Sequence, residues 1–120
     1  LAGFTIKPPF AQSYPAIVPP TGSSAKVLAG FQVFTKNCFA CHTMNLAGES
    51  KMGPDLNVPF NSTEYLKEEY LKKLIRDPQD LRHWPQSKMP GFTKESISDD
   101  ELGSLIAYLS AMRDRKVKIP

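Results

Sequence analysis

Residues 38–42 read Cys38-Phe39-Ala40-Cys41-His42, and this pentapeptide decides the fold. Two thiols three positions apart, followed at once by a histidine, form the attachment motif of a c-type haem. Each thiol adds across one vinyl group of the macrocycle, and the histidine is then held beneath the iron as its proximal ligand. Cys38 and Cys41 are the only 2 cysteines of the chain, so neither has another protein thiol to pair with. A bare Cys-x-x-Cys would also suit a redox dithiol or half of a zinc site. The adjoining His42 and the lack of a second metal-ligand pair argue against both.

Around this motif lie 120 residues, enough for one small domain with an extension. At 41% hydrophobic the composition excludes a disordered chain. A core of this size is modest, and a covalently held macrocycle enlarges it. The formal net charge of +3 comes without a dense Lys/Arg cluster or interleaved aromatics, so nucleic acid is not indicated. Mild basicity does permit steering toward an acidic protein partner. No apolar run approaches the roughly 20 residues a membrane-spanning helix needs. The chain starts at Leu1 with no basic-then-apolar region, and reads as a mature product whose leader has gone. Thioether attachment of haem sets the expected location outside the cytoplasmic membrane, in a bacterial periplasm.

Residues 1–23 differ from the rest. Five of the 11 prolines fall there (Pro8, Pro9, Pro15, Pro19 and Pro20), keeping the chain extended and short of backbone donors. Phe4, Phe10, Tyr14 and Ile17 make it more apolar than a plain linker. It is expected to be an arm laid over the domain 24–120, a docking segment, or the stub of a fusion. From Ser24 to Asn37 the pattern is helical, with Val27, Phe31 and Phe34 on one face beside Gly30, and Thr21, Ser23 and Ser24 as candidate caps. That helix delivers Cys38. Gly48, Gly53, Pro54 and Pro59 break residues 43–60 into loop. A short turn is expected after Asn61, with Glu64 at its third position, and a helix over 67–76 carrying Tyr70, Leu71, Leu74 and Ile75. Pro78 ends it near Asp77, and residues 78–97 read as a second long loop. Ser98 and Glu101 form a capping box ahead of the stripe Leu102, Leu105, Ile106 and Leu109. No strand pattern emerges. The expected class is all-α, three to four helices around one haem.

A haem iron with one histidine has a sixth position to fill. Met44 follows His42 too closely to reach round the macrocycle, Met52 precedes a loop assigned to the proximal side, and Met112 reads as a core or surface thioether near the end of the last helix. Met89, in Lys88-Met89-Pro90-Gly91-Phe92, lies in a long loop where a rigid Pro-Gly turn fixes backbone direction. It is the leading candidate. His83, beside Trp84, and an open position remain the alternatives.

Four landmarks now line up in order: Gly30-x-x-x-Phe34-x-x-x-Cys38, Gly53-Pro54-Asp55-Leu56, Lys88-Met89-Pro90 and Leu105-x-x-Tyr108. From Gly30 to about Met112 the chain resembles the class I monohaem cytochromes c. The resemblance implies a last helix paired with Gly30 and Phe34, since a glycine lets two helices cross closely. It implies that the Pro54 carbonyl accepts from Nδ1–H of His42, leaving Nε2 for iron. It further implies Leu56 against the haem, Trp84 and Arg82 as donors to its propionates, and lysines around its edge, for which Lys36, Lys51, Lys88 and Lys94 are suitably placed. The proline-rich arm is no part of that family pattern.

A histidine and a thioether on one iron favour the ferrous state and leave little room for oxygen or peroxide. The implied function is single-electron transfer rather than catalysis, as a free carrier or as the small subunit accepting electrons from a periplasmic dehydrogenase. Its protein partners are then that donor and an oxidase or another cytochrome. Arg76-Asp77-Pro78 faintly resembles cytochromes that accompany molybdenum sulfite dehydrogenases. The rest of the chain holds no phosphate loop, second metal cluster or nucleophile motif. The alternatives are a small haem enzyme with a labile sixth position, and an interaction module built on residues 1–23.

Overall fold

The computed structural model describes residues 17–50, 52–81 and 89–118. Phe4, Phe10, Tyr14, Lys51, Arg82, His83, Trp84 and Lys88, all singled out above, lie outside the described residues. The elements run α1 (Ala25–Asn37), α2 (Ser62–Tyr65), α3 (Glu68–Arg76), α4 (Pro78–Leu81) and α5 (Asp99–Arg113). Three of these exceed two turns, and no strand forms among the described residues beyond one isolated bridge between Met44 and Ala47. The all-α expectation holds. Residues 78–97 are not loop throughout, because Pro78 opens α4. A proline at a first helical position has no amide hydrogen to lose and its φ is already helical, so the residue that ends α3 starts α4.

Helices α1 and α5 begin where side-chain oxygens meet orphan amides. Ser24 accepts from Val27 N at 3.2 Å, and Ser98 accepts from Glu101 N at 3.1 Å while Glu101 returns a bond to Ser98 N at 2.9 Å. Asn61 and Glu64 form the same reciprocal box on α2, whose four residues would not hold together unaided. Once started, α1 and α5 cross at Gly30. A Cβ there would overlap the Ser104 carbonyl oxygen and sit 2.7 Å from Tyr108 Cβ, so the backbones touch where other residues would hold them apart. Around the crossing Tyr108 stands edge-on to Phe31 (centroids 5.6 Å, 71°) and tilted on Phe34 (5.5 Å), and Phe34 meets Phe39 at 5.9 Å. Each such pair contributes about 1 kcal/mol beyond the area it buries.

The core collects Val33, Phe34, Met44, Leu71, Ile75, Ile97, Leu102, Leu105, Ile106, Tyr108, Leu109 and Met112. Val27 and Phe31 pack against it half-buried, and Val33 takes the interior place on α1. Met44 and Met112 are core side chains, at 1% and 6% exposure. A polar strut ties the 43–61 loop to the end of α5. Buried Asn57 donates to Met112 O at 2.8 Å and to Asn45 Oδ1 at 2.7 Å, and buried Asn61 donates to Leu109 O at 2.8 Å and to Asn57 Oδ1 at 2.9 Å. Lys116 reaches in to Asn57 O and pairs with Glu64 at 2.7 Å, holding the Glu64 carboxyl below its ordinary range together with the Asn61 amide.

Replacing Gly30 with alanine tests the crossing. Helix propensity alone would favour the change by about 1 kcal/mol. A methyl group driven into backbone costs about 3 kcal/mol, and Ser104 O belongs to the neighbouring helix rather than to a flexible side chain. Gly30→Ala is therefore expected to lower the urea midpoint of the holoprotein, by about 2 kcal/mol net. An unchanged or raised midpoint would contradict the packing described.

Candidate functional site

The first helix leads directly into the motif. Cys38 N donates to Phe34 O at 2.8 Å, Cys41 N to Cys38 O at 3.1 Å and His42 N to Cys38 O at 2.9 Å. The chain thus continues for one more turn past α1. Residues at i, i+3 and i+4 of a turn share a side, which brings Cys38, Cys41 and His42 together. The two thiols are not joined to each other. Burial, with the Cys41 thiol beside it, pushes the Cys38 thiol up to about 12. Among the described residues no group of three or more His, Cys, Asp and Glu side chains converges on a metal.

The imidazole is set from below. Pro54 O lies 2.7 Å from His42 Nδ1, so Nδ1 carries the hydrogen and Nε2 keeps its lone pair. Gly53 permits this approach, since a Cβ there would stand 2.7 Å from Nδ1 itself, and Gly53 N is anchored on Cys41 O at 2.8 Å. Two thiols on one turn and one imidazole with a free Nε2 fit a haem held by two thioethers and ligated from one side. Leu56 is half-buried against the core, with its N–H on Thr43 O at 3.0 Å.

Of the remaining thioethers, Met52 is exposed at 67%, with Sδ 3.6 Å from Cys41 Sγ, on the cysteine side of the turn. Met89 is half-buried and belongs to neither the core cluster nor that turn. The segment after it is pinned to α3, because Phe92 N donates to Ile75 O at 3.0 Å and Arg76 Nη1 donates to Phe92 O at 3.1 Å. Lys36 and Lys94 are exposed, Lys94 lying 3.5 Å from Asp99.

Asp55, within the landmark Gly53-Pro54-Asp55-Leu56, has a task that the family spacing does not assign. It is the knot of the proximal loop. Its Oδ2 accepts from Thr43 Oγ1 and Leu46 N, both at 2.7 Å, and its Oδ1 accepts from Asn57 N and Val58 N, both at 2.8 Å. Leu46 sits at φ +66°, a costly place for a branched side chain, and the bond to Asp55 holds it there. The signal was available in Asp55-Leu56-Asn57, since an aspartate accepting from the amide two residues on is a turn-maker.

Partial burial raises the Asp55 carboxyl, but the bonds from Val58, Thr43, Leu46 and Asn57 outweigh it and hold the group below its ordinary value. A depressed carboxylate stabilises the fold fully above its unfolded pKa and loses that contribution as pH falls through the folded one. Urea stability is thus expected to fall below about pH 4 more steeply in the native protein than in Asp55→Asn. At pH 7 that variant should be weaker by about 2 kcal/mol, having exchanged four bonds to a charge for fewer to an amide. Parallel pH profiles for the two proteins would count against the knot.

Comparison with known proteins agrees with this geometry. Residues 27–113 match the cytochrome c family. The chain is 34% identical over 104 aligned positions to a cytochrome c2 of Agrobacterium tumefaciens (strain II Chrys), covering 73% of this chain and 90% of the relative. It is 27% identical over 103 positions to a cytochrome c2 of Rhodospirillum rubrum, covering 66% and 76% respectively. With its attachment turn, its tautomer-fixing carbonyl and its glycine-mediated helix crossing, this chain belongs to the cytochrome c family as a class I monohaem member that transfers electrons through a covalently bound haem c.

Proposed function

We propose that the protein is a periplasmic electron carrier, not an enzyme, whose iron is held between His42 Nε2 and Met89 Sδ. Bound at Cys38 and Cys41, the haem supplies one-electron chemistry at iron. The observation that carries the reading is the 2.7 Å contact of His42 Nδ1 with Pro54 O, which leaves Nε2 as the only ring nitrogen able to take a metal. A hydrogen-bonded Nδ1 also makes the imidazole a stronger and better-oriented ligand. Met89 is favoured as the second ligand by elimination among the described methionines. Met44 and Met112 are committed to the core, and Met52 lies against Cys41. Held by His42 and Met89, the haem would exchange single electrons without either protein ligand having to be gained or lost. Leu56 and Trp84 are the residues proposed to line the haem further, Leu56 by apolar contact and Trp84 as a donor to a propionate.

The partners proposed are a periplasmic dehydrogenase as donor and a terminal oxidase or another cytochrome as acceptor. Thioether attachment supports the location, and among the described residues no helix is long and apolar enough to cross a membrane. A molybdenum sulfite dehydrogenase is the donor to try first. The resemblance behind it is the stretch Arg76-Asp77-Pro78, in which Arg76 is bonded within the fold. Lys36 and Lys94, with Lys51 and Lys88, are proposed to form the docking ring.

In Met89→Ala the haem should stay attached while the reduction potential falls and imidazole binds readily. Retention of a low-spin, ligand-resistant iron would transfer the role to His83. Stopped-flow reduction by candidate dehydrogenases should slow steeply as salt rises, because exposed charges are screened beyond about 10 Å at 0.1 M. Rates independent of ionic strength would dismiss the lysine ring.

A further inference from the structure

Arg76 ends α3, and its guanidinium is directed back into the protein with about a fifth of the side chain exposed. Nη1 donates to two carbonyls, Phe92 O at 3.1 Å and Ile97 O. Nη2 donates to Asp99 Oδ1 at 2.8 Å, on the first turn of α5. This one side chain therefore joins the end of α3, the segment after Met89 and the start of α5. Its own backbone takes part, because a Cβ at Gly91 would overlap Arg76 O, so the segment lies close against the helix end. Phe92 is pinned twice, its N–H on Ile75 O at 3.0 Å and its C=O on the guanidinium. Between that anchor and Met89 stand only Gly91, flattened against α3, and Pro90, whose ring fixes φ.

A lysine could not do the same. Its single ammonium cannot meet two carbonyls and a carboxylate in the fixed fork that a planar guanidinium presents. Burying such a charge is costly unless its donors are used, and three of the five guanidinium N–H groups are bonded in this way. The arrangement exceeds what stopping α3 requires, since Pro78 already ends the helix.

We infer that Arg76 is a positioning residue that holds the Met89 segment closed, and so sets how easily the thioether leaves the iron. This rests on Met89 being the axial ligand. An outside ligand binds only molecules whose segment has opened, so its apparent affinity rises in proportion to the open fraction. Weakening the clamp raises that fraction. A residue with a merely structural role would lower global stability and leave the open fraction of folded protein unchanged.

The test is imidazole binding to the oxidised holoprotein, followed with the far-red sulfur–iron(III) band and the urea midpoint. Arg76→Leu is expected to bind imidazole about tenfold more tightly, and to lose the far-red band at a lower pH than the native protein. Arg76→Lys should fall between the two. Asp99→Asn, which keeps the guanidinium and both carbonyl bonds, should tighten binding by less than Arg76→Lys. Lys73→Ala removes a cation from the same last turn of α3 and should leave the affinity alone. If Arg76→Leu does not accumulate with haem attached, Arg76→Lys carries the test. Unchanged imidazole affinity in Arg76→Lys or Arg76→Leu beside a lowered urea midpoint would overturn the inference and leave the ligand assignment intact. Absence of the far-red band from the native protein would overturn both together.

Discussion

The close approach of α1 to α5 at Gly30 is the constraint on which the rest of the molecule depends. The helix that passes this point runs on, about two turns later, into Cys38, so its angle against α5 determines where the attachment turn is presented. Any side chain at Gly30 would lever α1 away from Ser104 and Tyr108, and both cysteines and His42 would move with it. The aromatic trio of Phe31, Phe34 and Tyr108 then locks the crossing from its sides. Apolar packing contributes most of the energy, but the glycine decides the geometry in which that packing is collected.

Two loops have to be held against this pair of helices, and they are moored by opposite chemistry. The proximal loop turns its amides inward, and Asp55, an acceptor with several lone pairs, gathers three of them and a hydroxyl. The Met89 segment turns carbonyls toward α3, and Arg76, a donor with no acceptor, gathers two of them. In each case one charged side chain replaces the ladder that a helix or sheet would have supplied. Both charges are compensated, Asp55 by its donors and Arg76 by Asp99, whose carboxyl is in turn held down by Arg76 and Lys94. A loop held by one charged hub is specific in shape and vulnerable at a single position.

The helices were legible in the sequence because their signals are local. The Ser98–Glu101 box, the stripe from Leu102 to Leu109 and the Asn61–Glu64 turn each lie within a few residues, and the structure realises all three. Pro78 was read as an end when it is also a beginning, because one proline satisfies the rules for both. Val33 was missed since the face read from Val27, Phe31 and Phe34 is only part of the buried surface once α5 lies across it. The site was legible where its residues are adjacent, as in 38–42, and where a family spacing exists, as for Pro54. The tasks of Arg76, Asn57 and Asn61 were not. The backbone carbonyls they bond lie from 16 to 55 positions away, and nothing local to a polar residue says that a distant carbonyl awaits it.

The two proposed ligands differ in how they depend on the fold. His42 follows Cys41 directly, so once the thioethers exist its nitrogen is confined near the iron by covalent geometry and needs only the Pro54 carbonyl to choose its tautomer. Met89 has no such tether. As the proposed ligand it would have to come from a remote part of the chain, and the segment after it is held to α3 by non-covalent contacts alone. Local opening always takes the cheapest route, and segments fixed by a few hydrogen bonds open at far less cost than the helical core. On the proposed ligand set, exchange at the iron should begin on the sulfur side, and the stability of that one segment, not of the whole fold, would draw the line between carrier and ligand-binding protein.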